Sequence, residues 1–159
     1  MAYDGVLRDI RKCIMLGRPE RLPVMALTEE FDVGQAGLTY EEYASSGENV
    51  ARAHINGIET FGYDWACVYI DDCIEFEPMG VKTVSSGNIP RSATQFVPAT
   101  YEALRKLRIP DPRKEGRMPV LIEGIRRVRE RFGDSVFVCG QAPAPFSAAT
   151  LLFGVEPVM

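Results

Sequence analysis

The chain has 159 residues, of which 46% are hydrophobic and 25% charged, as expected for one soluble domain with a real core. Its net charge of −4 gives no general attraction to nucleic acid or to an anionic membrane. No apolar run reaches the roughly 18 residues of a membrane span, and the charged N-terminus lacks the apolar core of a secretory signal.

The four cysteines form no C-x-x-C pair. Their spacing favours reduced thiols over a disulfide framework, and therefore predicts a cytoplasmic protein. They are Cys13, Cys67, Cys73 and Cys139.

The first part of the chain reads as two helices flanking a short strand. Val6, Ile10 and Ile14 fall on one helical stripe. Because Gly62 follows the second helix, it suits a helix stop. The predicted elements are a helix over 4–16, a strand over about 22–27, an irregular segment over 28–39 and a helix over 48–61.

The remainder continues the alternation of strands with helices. Aromatic and β-branched residues predict two buried strands, and Ser-Ser-Gly-Asn between short β-like runs predicts a hairpin. The predicted elements are a strand over 64–70, a hairpin over 81–97, a helix from Tyr101, a helix over 118–132, a strand over 135–140 and a helix over 145–153.

Strands that alternate with helices indicate βαβ units in a parallel sheet. In such folds ligands bind at the carboxyl ends of the strands. Three segments occupy such positions, namely 28–38, 71–73 and 141–146.

Two aspartates, Asp71 and Asp72, directly follow the strand over 64–70. Because successive strand residues point to opposite faces, Asp71 is expected to share a face with Trp65, Cys67 and Tyr69. The alternate set is purely aliphatic and suits packing against helices. Asp71 is therefore the candidate carboxylate aimed into a pocket; the alternative is that both aspartates cap the following helix.

The other features carry weaker signals. Small residues and prolines after Cys139 suit either close approach of a ligand or a rigid strand-to-helix corner. Gly34-Gln35-Ala36-Gly37 reads as a flexible loop. The only histidine, His54, lies on the apolar face of its helix and is expected in the core. The arginines at 126–131 fit a solvated helix face, and no metal-ligand spacing of the strong kind occurs.

Three segments together resemble the uroporphyrinogen decarboxylase superfamily. Arg18-Pro-Glu-Arg-Leu-Pro-Val resembles the approach to the family's first barrel strand, and 61–72 with Glu77-Pro-Met-Gly resembles its second strand and functional aspartate. Counting back from Gly80 places Asp71 on that aspartate. Cys139-Gly-Gln-Ala-Pro-Ala-Pro-Phe-Ser resembles the third strand and its turn.

The resemblance implies an α/β fold, the N-terminal part of a TIM-type (β/α)8 barrel with about three parallel strands and a hairpin excursion. Residues 1–159 would form a single portion of that barrel, with the C-terminal half absent. Because an open sheet has unpaired edges, we expect either a homo-oligomer formed through those edges or docking onto the missing half.

The family includes tetrapyrrole decarboxylases and a branch that transfers methyl groups between corrinoid proteins and thiols. Decarboxylases carry two arginines around a Gln-Ala-Gly, where this chain has Gly34 and Leu38. They also carry a tyrosine where Leu151 stands. Since a bidentate arginine cannot be replaced by glycine or leucine, both departures favour the methyltransferase branch.

The resemblance implies a catalytic role for Asp71 by electrostatic stabilisation, and a substrate pocket that includes Gln141, Phe146 and Gln35. It implies no cofactor in this chain, whereas a complete methyltransferase would use zinc and a corrinoid on a partner protein. The ligand would be of tetrapyrrole or corrinoid type. The alternatives are a uroporphyrinogen decarboxylase and a catalytically inactive fragment or interaction module, and the isolated chain is expected to be inactive.

Overall fold

The computed structural model describes residues 3–159 as helices packed around a short parallel sheet. The helices are α1 (Val6–Ile14), α2 (Glu29–Gln35), α3 (Tyr40–Ser45), α4 (Gly47–Phe61), α5 (Tyr101–Lys106), α6 (Met118–Phe132), α7 (Pro145–Phe153) and α8 (Val155–Val158). The strands are β1 (Trp65–Val68), β2 (Lys82–Ser86), β3 (Ile89–Gln95) and β4 (Phe137–Gly140). None of the helices in the described residues is long and apolar enough to cross a membrane.

The sheet that defines the fold consists of β1 and β4, which run parallel. Their register pairs Trp65 with Phe137 and Cys67 with Cys139. The chain between them forms the antiparallel β2–β3 hairpin and then α5 and α6, so the predicted hairpin excursion is confirmed. This arrangement agrees with a partial parallel α/β barrel.

The prediction of a first strand over 22–27 is wrong, because this segment forms no strand. The segment lies beside β1, where the Asp64 amide donates to the Val24 carbonyl at 2.8 Å and the Trp65 indole N–H donates to Ala26 at 2.7 Å. Pro23 has no N–H to give to a ladder. Leu22 and Leu27 are largely exposed, so the described residues cover the segment on one side only.

The prediction that 28–39 is irregular is also wrong, because α2 occupies Glu29–Gln35. Helix α3 follows and was not predicted. Its N-terminus is a capping box, in which the Thr39 hydroxyl accepts from the Glu42 amide and the Glu42 carboxylate accepts from the Thr39 amide at 2.8 Å. The T-x-x-E spacing was a readable signal for this helix start.

The main core lies between the sheet and α4 and α6. The aliphatic set from β1, Ala66, Val68 and Ile70, faces these helices as predicted. Helices α4 and α6 approach each other closely through small residues. A Cβ added at Gly124 would lie 2.5 Å from a Val50 methyl carbon, so only glycine fits there without a shift.

The substitution Gly124→Ala should therefore lower the free energy of unfolding by about 2 kcal/mol, since overpacking forces Val50 or the helix backbone to move. Urea denaturation followed by circular dichroism measures the change. Gly34→Ala is the matched control, because a Cβ there meets nothing within 4 Å and alanine favours a helix. Equal midpoints for the two variants would contradict the close α4–α6 contact.

Candidate functional site

The carboxyl end of β1 is the candidate site, and its side-chain directions differ from the prediction. The strand ends at Val68, and strict alternation does not continue through the following turn. Ile70 still packs in the helix-side core, and Asp71 is 4% exposed next to it. Asp72 is exposed instead. Asp71 is therefore buried in this structure and not an open pocket carboxylate, and its catalytic role stays a prediction.

Asp71 is held by a buried set of hydrogen-bond donors. Two nitrogens of the Arg117 guanidinium donate to its two carboxylate oxygens at 2.5 and 3.0 Å. The Tyr40 hydroxyl, from the first turn of α3, donates to the same carboxylate. The Cys73 amide donates to it at 2.9 Å. Because both carboxylate oxygens accept hydrogen bonds, Asp71 ties together β1, α3 and the start of α6. We call this hydrogen-bonded group around Asp71 the brace.

The brace extends from Arg117 to the hairpin. The Arg117 Nε donates to a Glu77 carboxylate oxygen at 2.9 Å, and the other Glu77 oxygen lies 3.6 Å from the Arg91 guanidinium on β3. Although burial lowers the pKa of Arg117, the carboxylates of Asp71 and Glu77 outweigh it and raise that pKa above its ordinary value. The guanidinium is thus a fixed positive charge between two carboxylates.

Asp72, in contrast to Asp71, is exposed. The Tyr69 hydroxyl donates to its carboxylate at 2.6 Å. Burial and this neighbouring carboxylate raise the pKa of Tyr69, which keeps the hydroxyl protonated and donating. Asp72 is therefore the exposed carboxylate of the pair, and a tyrosine orients it.

Two further carboxylates surround Asp72. Burial raises the pKa of Glu29, with Glu30 and Asp72 as further causes, and burial also raises the pKa of Glu75. Glu29 opens α2 with a φ of +30°, a strained conformation for a residue with a side chain. Within residues 3–159, one buried oxygen of Glu75 has no hydrogen-bond partner. Glu29, Asp72 and Glu75 thus form a negatively charged, partly desolvated rim at the end of β1.

The end of β4 brings Gln141 to the same face. The Cys67 thiol donates to the Gln141 side-chain oxygen at 3.3 Å. Phe146, in the first turn of α7, is 63% exposed. Gln35 is exposed at the end of α2, and its side chain makes no hydrogen bond to these groups in the described part of the chain. The structure thus joins Gln141 to the β1 end and leaves Gln35 apart.

His54 is a core residue, as predicted. It is 4% exposed, and its Nε2 lies 3.2 Å from the Tyr43 hydroxyl. Burial lowers the pKa of His54 to about 4, so the ring is neutral near pH 7. Asp32 lies 3.7 Å from the other ring nitrogen.

Sequence reasoning missed Arg117 and Tyr40, which form the brace with Asp71. Arg117 is 46 residues from Asp71, and Tyr40 is 31 residues away. No local spacing links positions so far apart. The Tyr40 position could have been approached through the capping box that starts α3, but the Arg117 pairing had no such signal.

Comparisons with known proteins agree with a portion of a parallel α/β barrel. A model of the uroporphyrinogen decarboxylase (URO-D) family matches residues 12–158. The chain therefore belongs to the URO-D family.

Similar curated proteins are the uroporphyrinogen decarboxylases of Trichlorobacter lovleyi, 28% identical over 140 residues, and Geobacter metallireducens, 25% identical over 140 residues. Each match covers 84% of this chain and 40% of the relative. A methyltransferase from Methanosarcina mazei has a similar structure, with a TM-score of 0.82 at 20% identity. That match covers 96% of this chain and 46% of the other. The chain thus spans less than half the length of these proteins.

Replacing Arg117 should test the brace. Arg117→Gln leaves the Asp71 charge buried without its cation, so the free energy of unfolding should fall by about 3 kcal/mol. Urea denaturation measures the loss. The matched control is Arg108→Gln, which breaks an arginine–carboxylate pair with Glu115 on the surface, where water screens the charges. A loss for Arg117→Gln no greater than for the control would contradict the bracing role.

Proposed function

We propose that this chain is part of a barrel enzyme that transfers a methyl group in partnership with a corrinoid protein. The observation that carries the proposal is the missing pair of arginines. Gly34 and Leu38 stand where decarboxylases bind substrate carboxylates, and Leu38 packs against the core instead of offering a donor. Neither residue can form a bidentate bond to a carboxylate.

The charge of the β1 rim supports the same choice. The exposed Asp72 lies near Glu29 and Glu75, so this rim carries carboxylates instead of cations. A polyanionic porphyrinogen with its many carboxylates would be repelled here. A corrinoid presents amides at its edge. It can therefore contact Gln141 and the exposed Phe146 ring as the wall of its pocket.

The remainder of the barrel is part of the proposal. The exposed side chains of 22–27 include Leu22, Val24, Met25 and Leu27. We propose that another parallel strand packs along this segment and that further strands follow β4. A second copy of the chain is the alternative partner for these edges.

Zinc is assigned no role in this chain. Within the described residues, no group of three or more His, Cys, Asp or Glu side chains is placed to hold a metal ion. The zinc that the methyltransferase branch uses to activate a thiol does not fit residues 3–159. What these residues contribute is a binding surface made by Asp72, Gln141 and Phe146, oriented by Tyr69 and Cys67.

The second candidate function is decarboxylation of uroporphyrinogen. It is favoured by the names of the curated relatives, which are 25–28% identical to this chain. In that case the carboxylates of the substrate need cations other than those at positions 34 and 38. An inactive fragment that only binds its partner is a third reading, and the isolated chain is expected to lack turnover.

The only tryptophan provides a direct binding test. Trp65 lies on β1, so a corrinoid or porphyrin bound at the strand ends should quench its fluorescence. We expect methylcobalamin to bind more tightly than uroporphyrin, and therefore to quench at lower concentration. A parallel titration of N-acetyltryptophanamide corrects for absorption by the ligands.

Two glutamine variants locate the bound ligand in the same titration. Gln141→Ala should weaken binding of methylcobalamin, because Gln141 contacts the β1 face, whereas Gln35→Ala should leave it unchanged. Tighter binding of uroporphyrin would favour the decarboxylase. Absence of quenching by both ligands would reject a tetrapyrrole or corrinoid site on this chain.

A further inference from the structure

Two cysteines lie side by side on the inner face of the sheet. The parallel register pairs Cys67 on β1 directly with Cys139 on β4. Paired residues of adjacent strands project to the same face of a sheet. Ala66 and Val138, their neighbours in the strands, pack toward the helix-side core, so the thiols lie on the opposite face.

Both thiols are partly exposed, and their surroundings differ from those of the other cysteines. The Cys67 thiol donates to the Gln141 side chain at 3.3 Å. Burial, and next the charge of Cys139, raise the pKa of Cys67, so the two sulfurs interact. Cys13 lies on α1, whereas Cys73 is buried with its sulfur 3.5 Å from the Arg91 carbonyl.

We propose that Cys67 and Cys139 form a vicinal dithiol that chelates a soft, thiophilic metal or metalloid centre at the floor of the candidate site. Soft centres prefer thiolate ligands over the carboxylates of the nearby rim. Two thiols held by one strand register lose little conformational freedom on binding, which is the advantage of a preorganised chelate. The dithiol shares Cys67 with the binding surface proposed above, but its test does not depend on that proposed function.

Chelation also removes the obstacle that keeps the Cys67 thiol protonated. Two thiolates side by side repel each other, whereas a cationic centre between them neutralises both. A trivalent arsenical is a suitable probe because it needs only two thiols from the protein. With phenylarsine oxide, each thiol gives up its proton, two As–S bonds form, and the arsenic-bound oxygen leaves as water. No oxidant or reductant is required.

The test is the intact mass of the chain after treatment with phenylarsine oxide and a wash with excess glutathione, a monothiol competitor. We expect one phenylarsenic group to be retained per chain. Cys67→Ser and Cys139→Ser should each lose it, because one thiol cannot chelate. Cys13→Ser is the matched control and should retain it. Retention by either single-site variant of the pair would overturn the proposal.

A second measurement uses the unsubstituted chain, so it does not depend on how the variants fold. Bound arsenical should protect Cys67 and Cys139 from alkylation by iodoacetamide, while Cys13 stays reactive. Peptide mapping by mass spectrometry reads out each cysteine. Protection of any other pair, or no retained arsenical on the unsubstituted chain, would also overturn the proposal.

Discussion

The buried pairing of Asp71 with Arg117 is the constraint on which the site geometry depends. A carboxylate with a 1% exposed side chain cannot stay charged without a partner, because removing an ion from water costs several kcal/mol. Arg117 supplies that partner with two nitrogens, and Tyr40 and the Cys73 amide engage the remaining lone pairs. Asp71 is thus satisfied within the protein, whereas the next residue, Asp72, is exposed.

Two side-chain pairs lie near the ends of the parallel strands. Tyr69 donates to Asp72 after β1, and Cys67 on β1 donates to Gln141 after β4. The aliphatic residues of β1 are left to pack against α4 and α6. The catalytic role that the family resemblance implies for Asp71 stays a prediction; in this structure Asp71 pairs with Arg117 and helps to position the end of β1.

How well each element was predicted depended on how many residues carried its sequence pattern. Apolar periodicity over many residues placed α1, α4 and α6, and turn residues placed the β2–β3 hairpin. The short helices α2 and α3 were missed because they have too few turns for a clear period. The segment 22–27 has strand-like residues, but a strand assignment needs a hydrogen-bonded partner that sequence composition cannot supply.

The sequence predicted which strand ends lie together, but not which side chains there are buried, and the functional site itself stays a prediction. The carboxyl ends of β1 and β4 were identified from the order of strands and helices. The error at Asp71 arose because strand alternation was extended past Val68, where the backbone has already left the strand. The decisive partner, Arg117, lies 46 residues away, so only the three-dimensional structure reveals it.

Comparing Asp71→Asn with Asp72→Asn by urea denaturation tests the central claim most directly. Both changes remove one negative charge from adjacent residues and keep nearly the same side-chain volume. The account predicts a clear loss of stability for Asp71→Asn, whose neutral amide leaves Arg117 without its main partner, and little change for the exposed Asp72→Asn. The opposite order would show that the buried pairing with Arg117 does not stabilise the fold, and would contradict the account.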